Sequence, residues 1–226
     1  MKNIILSAEH VTKRVQTAEH QLTILNDVSL NVVSGQSLAI VGPSGAGKST
    51  LLGLLAGLDT PSEGKIFLAE REITNMDEEG RAAVRAEFVG FVFQTFQLLS
   101  SLTALENVAL PMELAGDKNA KQKAIEYLDK VGLSERTTHY PKQLSGGEQQ
   151  RVAIARAFAC QPKILFADEP TGNLDQKTGM KVSDLLFDLN HQSDATLILV
   201  THEQRLAERC DQIIVIDDGK LQVSNA

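Results

Sequence analysis

The feature that most constrains the fold is a glycine-rich stretch of nine residues between two apolar runs. It matches the pattern G-x-x-x-x-G-K-[ST] and consists of Gly42, Pro43, Ser44, Gly45, Ala46, Gly47, Lys48, Ser49 and Thr50. A β-branched and leucine-rich run of strand length, residues 37–41, precedes it, and a leucine-rich run of helical composition, 51–55, follows it. This pattern marks a phosphate-binding loop only where a strand precedes it and a helix follows it, so the flanking runs favour that interpretation.

The residue types of the loop suit phosphate chemistry. Glycines let the backbone turn tightly, so that successive N–H groups point inward around a phosphate. A helix that begins near Lys48 adds the positive end of its dipole at the same place. Lys48 is expected to reach the β- and γ-phosphates, and the Ser49 hydroxyl to coordinate Mg²⁺. The alternative, a glycine-rich turn with an incidental lysine, is disfavoured by the flanking runs.

Composition limits the class of protein. A chain of 226 residues with 42% hydrophobic residues is long enough and apolar enough for a globular domain with a sizeable core. Its net charge of −7 argues against a nucleic-acid partner. The apolar run after the loop is far shorter than the roughly 20 residues that span a bilayer. The apolar stretch at the N-terminus is too short for a secretory signal. Cys160 and Cys210 have no metal-like spacing and indicate reduced thiols of a cytosolic protein.

Apolar runs outline the rest of the fold. In the first 40 residues they are short and alternate with polar residues, which predicts antiparallel β structure ahead of the loop strand. Residues 75–87 and 103–140 have charged, helical patterns. Further runs of strand length lie at 64–68, 89–93, 164–167, 196–200, 213–216 and 220–223, the last two forming a terminal hairpin.

Continuous apolar runs separated by helices are typical of a parallel sheet covered on both faces. We therefore predict an α/β fold with a P-loop NTPase core, in which a mainly parallel sheet is flanked by helices. An antiparallel β subdomain at the N-terminus and an inserted helical subdomain at about residues 95–158 complete it. The whole chain, 1–226, is predicted to be one nucleotide-binding domain.

Two acidic residues directly follow the run 164–167. Asp168 is expected at the carboxyl end of a parallel strand beside the loop strand, where a Mg²⁺-binding carboxylate belongs. Glu169, one residue further, is placed to polarise the water that attacks the γ-phosphate. The alternative is an acidic pair that caps the next helix.

Two further polar residues follow predicted strands. His202 follows the run 196–200 and is a candidate hydrogen-bond donor to the γ-phosphate, the alternative being an ordinary surface histidine. A zinc helix H-E-x-x-H fails because position 206 is leucine. Gln94 follows the run 89–93, and its amide is a candidate ligand of Mg²⁺ or water and a sensor of the γ-phosphate.

A second candidate anion site begins with a serine and two glycines. Ser145, Gly146 and Gly147 precede glutamate and glutamine and have the character of a helix N-terminus, where backbone N–H groups are exposed. Two phosphate sites for one nucleotide suggest that a second copy of the chain supplies the complement.

Taken together, these motifs resemble the ATP-binding-cassette (ABC) ATPases over essentially the whole chain. The Leu-Ser-Gly-Gly signature at 144–147 discriminates this family from other P-loop enzymes, and Asn173-Leu174-Asp175 also stands in the family's order. Within the family, 59–61, 103–108 and 168–175 resemble the lipoprotein-release and macrolide-export ATPases. Residues 75–79 and 209–211 are similar to the YbbA-like branch of that group.

The resemblance implies a head-to-tail dimer that encloses two ATP molecules with Mg²⁺. Each ATP would lie between Lys48, Ser49, Asp168 and Glu169 of one copy and the signature residues of the other, with Asp175 crossing the interface and His202 holding the γ-phosphate. The helical subdomain would receive an integral membrane permease on a separate chain, which places the protein in the cytoplasm, peripheral on the inner face of the cell membrane. The permease, not the ATPase, would read the transported substrate.

One position departs from the family pattern. Where the family usually has a tyrosine or another aromatic residue to stack on adenine, this chain has Val15, and the first aromatic residue is Phe67. Two other functions are alternatives for such a chain: a soluble ABC protein that acts on DNA or ribosomes, and a regulatory cassette that binds ATP without hydrolysing it. The first is disfavoured by the acidic balance and the lack of a second cassette or long coiled coil, and the second by the presence of Glu169 and His202.

Overall fold

The computed structural model describes residues 3–16 and 20–222. The chain divides into two compact units, one comprising Met1–Val89 with Thr196–Ala226 and the other Gly90–Ala195. The organisation of 1–226 as a single nucleotide-binding domain stays a prediction. Among the described residues, no helix is long and apolar enough to cross a membrane.

Ten strands and seven α-helices occur in the described part of the chain. The strands are β1 (Ile4–Gln16), β2 (Gln21–Val33), β3 (Ser37–Val41), β4 (Glu63–Leu68), β5 (Arg71–Glu72), β6 (Val89–Phe93), β7 (Ile164–Asp168), β8 (Thr196–Val200), β9 (Gln212–Asp217) and β10 (Lys220–Gln222). The helices are α1 (Lys48–Leu55), α2 (Glu78–Phe88), α3 (Ala104–Leu114), α4 (Ala120–Lys130), α5 (Gly146–Ala159), α6 (Gln176–Ser193) and α7 (Gln204–Ala207). Short 3₁₀ turns lie at Ser134–Arg136 and Pro141–Gln143.

An antiparallel sheet with the strand order β2-β1-β4-β5 opens the first unit. The predicted antiparallel β structure is confirmed, but the short runs belong to two strands of 13 residues each. The polar interruptions fall where the register shifts, as between Ala8 and Val11 of β1, where His10 has a φ of 52°. Such bulges let a long strand continue past residues that break its alternation.

The first unit also contains a mixed sheet segment with the order β10-β9-β3-β8. The loop strand β3 is parallel to β8 on one side and to β9 on the other, with Ile40 opposite Val200 and Ile214. Since both edges of β3 are taken, the expectation that the strand of Asp168 lies beside β3 is wrong. The antiparallel pair β9 and β10 confirms the terminal hairpin as far as Gln222, while Val223 lies outside the described residues.

Packing explains why the leucine-rich runs take these forms. In α1, Leu51, Leu54 and Leu55 are fully buried, since their spacing places them on one face of the helix. All of Thr196–Val200 is buried, as the continuous apolar run predicted for a strand covered on both faces.

The second unit combines strands β6 and β7, which are hydrogen-bonded neighbours, with helices α3–α6. Residues 164–167 of β7 are fully buried. Helix α5 is rich in alanine and buries Val152, Ala153, Ile154 and Ala155, so it packs against its surroundings on several sides. The strands and helices predicted for this part of the chain are confirmed.

Candidate functional site

The glycine-rich loop follows β3 directly and has a backbone that only glycine tolerates at one position. Gly42 has a φ of 152°, and a Cβ built on it would lie 2.1 Å from the carbonyl oxygen of Ile216. Ala46, Gly47 and Lys48 are buried, Gly42 and Thr50 are half-buried, and Pro43, Ser44, Gly45 and Ser49 are exposed. The loop is therefore anchored at both ends and open to solvent in its middle and at Ser49.

Lys48 is held by the loop itself. Its side chain is only 7% exposed, and its Nζ donates hydrogen bonds to the carbonyl oxygens of Gly42 at 2.9 Å and Pro43 at 2.8 Å. The ammonium group is thus fixed against the loop backbone. Helix α1 begins at Lys48 with Gly47 as its N-cap and has no side-chain cap hydrogen bond. Its first N–H groups and the lysine charge together suit a phosphate.

His202 lies at the same edge of the sheet as the loop. Ile40 of β3 is paired with Val200 of β8, and the two strands are parallel. Gly42 and His202 each lie two residues after this pair, at the same end of the two strands. The His202 side chain is exposed. Within the first unit, the structure therefore brings together the predicted phosphate loop and the predicted γ-phosphate donor.

Asp168 and Glu169 leave β7 in the second unit, and both are half-buried. Glu169 has a φ of 44°, an uncommon conformation for a residue with a side chain. Its carbonyl oxygen accepts a hydrogen bond from the Gly172 N–H at 3.0 Å, which closes a four-residue turn with Pro170 at its second position. Glu169 is thus presented on a sharp turn immediately after a buried strand.

Gln94 contacts this same turn. Its Nε2 donates to Asn173 Oδ1 at 3.3 Å, and Asn173 Nδ2 donates to the Gln94 carbonyl oxygen at 2.9 Å. A Cβ on Gly172 would lie 2.7 Å from Gln94 Nε2. The turns after β6 and β7 are therefore joined by a reciprocal amide pair, which brings Gln94 close to the Glu169 turn.

Gln150 also belongs to this network, although no sequence motif pointed to it. Gln150 lies in α5, is fully buried, and donates from Nε2 to Pro170 O at 2.6 Å and Phe93 O at 3.3 Å. The only sequence signal was its place in the helix that follows the signature serine.

Ser145 is the N-cap of α5 and forms a capping box with Glu148, as predicted for a helix N-terminus. The Ser145 N–H and hydroxyl donate to Glu148 Oε2 at 2.8 and 2.7 Å, and Arg136 Nε donates to Glu148 Oε1 at 3.2 Å. These hydrogen bonds, from the Ser145 N–H first, then its hydroxyl, and then Arg136, lower the pKa of the Glu148 carboxyl.

The remaining signature residues pack against the start of α6. A Cβ on Gly147 would lie 2.4 Å from Thr178 Cγ2, and one on Gly146 would lie 3.3 Å from Leu174 Cδ2. Asp175 caps α6 by accepting a hydrogen bond from the Thr178 N–H at 3.1 Å, and contacts with the Thr178 hydroxyl and N–H lower its pKa. Asp175 is exposed beside the signature residues in this unit.

Val15, the departure noted above, is half-buried near the end of β1 and lies opposite Leu22 of β2. Leu22 is 47% exposed, so this pair presents aliphatic surface.

The chain matches known proteins along its length. Residues 25–172 match the family model described as "ABC transporter". The ABC transporter ATP-binding protein YbbA of Escherichia coli K12 is 53% identical over 220 residues, covering 96% of both chains. The lipoprotein-releasing system ATP-binding protein LolD of Legionella pneumophila strain Paris is 48% identical over 223 residues, covering 98% of both. A dimeric post-hydrolysis structure of the ATP-binding cassette MJ0796 bound to ADP and Pi has a TM-score of 0.88 at 39% identity, covering 96% of this chain and 97% of that one. The chain therefore belongs to the ABC transporter family, as an ATP-binding ATPase similar to YbbA and LolD.

Proposed function

We propose that this ATPase forms a head-to-tail homodimer around two ATP molecules and drives a separate membrane permease of the lipoprotein-release or macrolide-export type. The observation that carries the proposal is that the chain has two helix N-termini suited to phosphate, one in each unit. One follows the loop with Lys48, and the other begins at Ser145. Two structures of the similar cassette MJ0796 are described as dimeric, and one of them as bound to ADP and Pi.

In this proposal the nucleotide is bound mainly through its phosphates. The loop N–H groups and the fixed Lys48 ammonium stabilise the β- and γ-phosphate charge, and His202 donates a hydrogen bond to the γ-phosphate. Glu169 orients and polarises the attacking water, and Gln94 senses the γ-phosphate. Because phosphoryl transfer depends mainly on positioning and electrostatics, rigid anchoring of these groups matters for the rate.

The residue types predicted as ligands also fit Mg²⁺. Ser49 is exposed at the start of α1, Asp168 is a half-buried carboxylate at a strand end, and Gln94 carries an amide oxygen. Hydroxyl, carboxylate and amide oxygens are the hard ligands that Mg²⁺ prefers, and the ion keeps part of its water shell. When bound, the ion would neutralise charge on the β- and γ-phosphate oxygens.

The second copy of the chain completes each site with Ser145, Gly146, Gly147 and Asp175. The Glu148 carboxylate at this helix end would repel a phosphate if it were unbalanced. Arg136 contacts it directly, which offsets that charge.

The permease would bind to the helical segment at about residues 95–158 and hold the protein at the inner face of the membrane. LolD relatives are described as part of a lipoprotein-releasing system, which supports a permease of that type. The net charge of −7 supports a partner other than nucleic acid.

The shared site is tested by mixing two inactive variants, Lys48→Ala and Ser145→Arg. In a head-to-tail mixed dimer, one site carries both lesions and the other is intact. At equal amounts with free exchange, about half of the dimers are mixed, so about a quarter of wild-type ATPase activity should return where one intact site hydrolyses ATP without the other.

The matched control mixes Lys48→Ala with a chain that carries both substitutions, which leaves no intact site in any dimer and should restore nothing. Differently tagged chains establish that the mixed dimers form. Wild-type turnover by a strictly monomeric Ser145→Arg chain would contradict the shared site.

The permease is tested by purifying the tagged chain from detergent-solubilised membranes. A co-purifying protein with long apolar helices that changes the ATPase rate supports the proposal. Recovery of the active ATPase without any membrane protein would count against it.

A further inference from the structure

Gln150 occupies an unusual place in the second unit, because one buried amide contacts two turns from different strands. Its Nε2 donates to the carbonyl oxygen of Pro170, in the turn that presents Glu169. The same Nε2 donates to the carbonyl oxygen of Phe93, in the peptide group that leads into Gln94. One side chain on α5 therefore fixes the backbone beside both candidate groups.

The orientation of the Gln150 amide is determined by these contacts. Two carbonyl oxygens face it and can only accept hydrogen bonds, so the amide nitrogen must point toward them. Gln150 Oε1 is then buried without a hydrogen-bond partner among the residues that the structure describes. A buried unpaired acceptor destabilises a protein, so the two hydrogen bonds that the Gln150 nitrogen donates are made at a cost in stability.

The turn after β7 needs outside support. Glu169 has a φ of 44°, which side-chain-bearing residues adopt at a cost and keep only when the surroundings enforce it. Within the turn, the Gly172 N–H binds the Glu169 carbonyl oxygen and leaves the Pro170 carbonyl to another donor. Gln150 is that donor, and its 2.6 Å hydrogen bond holds the residue next to Glu169.

We propose that Gln150 is a positioning residue for ATP hydrolysis. From α5, its amide holds the turn that carries Glu169 and the turn that carries Gln94 in a fixed arrangement relative to each other. This inference rests on the proposed role of Glu169 in orienting water. Gln150 does not touch the nucleotide, and its effect on the rate passes through Glu169. Ser145 begins the same helix, so this amide also joins the helix that carries the signature serine to the Glu169 turn.

The test replaces Gln150 by methionine, which has a similar length, lacks the donor, and also removes the unpaired oxygen. The Glu169 turn then loses its support, and kcat should fall about tenfold or more, since displacements near 1 Å in positioning groups cost up to a hundredfold. KM and the equilibrium affinity for ATP should stay within about twofold, because the phosphate loop is unchanged.

A double-mutant cycle separates positioning from a general structural role. If Gln150 acts through Glu169, then Gln150→Met in the Glu169→Gln background should lower the residual rate by less than about twofold. An equal fold-loss in both backgrounds overturns the inference, as does an unchanged kcat or a loss confined to ATP affinity.

Asn190→Leu is the matched control. Asn190 is another buried amide of the second unit, in α6, with an unpartnered Oδ1. Its replacement should leave kcat unchanged. Thermal unfolding of every variant checks the fold, and Gln150→Asn, whose amide is too short to reach both carbonyls, gives the same expected loss if the methionine variant does not fold. Near-normal turnover by Glu169→Gln would refute the proposed role of Glu169 on which the inference rests, whereas active controls with an active Gln150→Met refute only this inference.

Discussion

Replacing Gly42 by alanine perturbs the phosphate loop at the position where it approaches other backbone most closely. The added Cβ would lie 2.1 Å from the carbonyl oxygen of Ile216, whereas real Cβ contacts are essentially never under 3.0 Å. The two backbones must therefore separate by at least about 0.9 Å. Ile216 belongs to β9, which is paired with β3 on one side and β10 on the other, so the loop is the part that yields.

The loop cannot move without disturbing Lys48. The Gly42 carbonyl oxygen accepts a 2.9 Å hydrogen bond from Lys48 Nζ, one of the two that fix the ammonium group. A hydrogen bond from a charged group contributes about 1.5–3 kcal/mol. If the misplaced ammonium forfeits that amount in binding phosphate, the affinity for ATP should fall roughly ten- to a hundredfold.

Gly45→Ala is the control on the same loop. Gly45 also has a positive φ, 82°, but a Cβ there meets nothing within 4 Å. Gly45→Ala carries only the cost of a left-handed backbone conformation, about 1–2 kcal/mol. This cost is the same with and without nucleotide, so the affinity for ATP should change less than about tenfold. The assay is equilibrium ATP binding in the Glu169→Gln background, with thermal unfolding to check the fold. A Gly42→Ala protein that binds ATP like wild type, or an equal loss in both variants, would refute the reasoning.

Three further outcomes are expected. Glu169→Gln should keep ATP binding and lose hydrolysis by about 10²-fold or more, measured as phosphate release, and near-normal turnover would remove Glu169 from its assigned role. Val15 offers no aromatic face, so the rates of ATP and GTP hydrolysis should lie within about tenfold of each other. Val15→Tyr should tighten ATP binding by about 1 kcal/mol. A preference of about a hundredfold for ATP in wild type would show that another residue holds the adenine. Gly53 lies inside α1, and a Cβ there would meet nothing within 4 Å. Gly53→Ala should therefore raise the free energy of unfolding by about 0.5–1 kcal/mol and the Tm by roughly 1–4 °C. A lower Tm would contradict this expectation.

The features that could be predicted from the sequence depend on short stretches of chain. The loop at 42–50 carries its glycines, its lysine and its flanking apolar runs within a few residues of each other. The cap at Ser145 is equally local, because Glu148 lies three residues away and both hydrogen bonds of the capping box are made within one turn. In both cases the neighbouring residues that identify the feature in the sequence are also the residues that form its structure.

The features that could not be predicted join distant parts of the chain. Gln150 is 57 residues from Phe93 and 20 from Pro170, and no local pattern distinguishes it from Gln149 beside it. Strand order is a similar case. The parallel partners of β3 lie at 196–200 and 212–215, and an apolar run does not encode which other run becomes its neighbour.

Gly42 and Glu169 illustrate the difference between a turn that local sequence predicts and one that it does not. Each follows a buried strand and leaves it with a positive φ, 152° and 44° respectively. At Gly42 the missing Cβ both permits the turn and marks it in the sequence. Glu169 must keep its carboxylate for its proposed chemistry, so the turn cannot be built with glycine. It is held instead by the Gly172 N–H, which donates to the Glu169 carbonyl oxygen, and by the Gln150 amide, which donates to that of Pro170. A catalytic side chain on a tight turn therefore needs a supporting residue elsewhere in the chain, and Gln150 is where the structure supplies it.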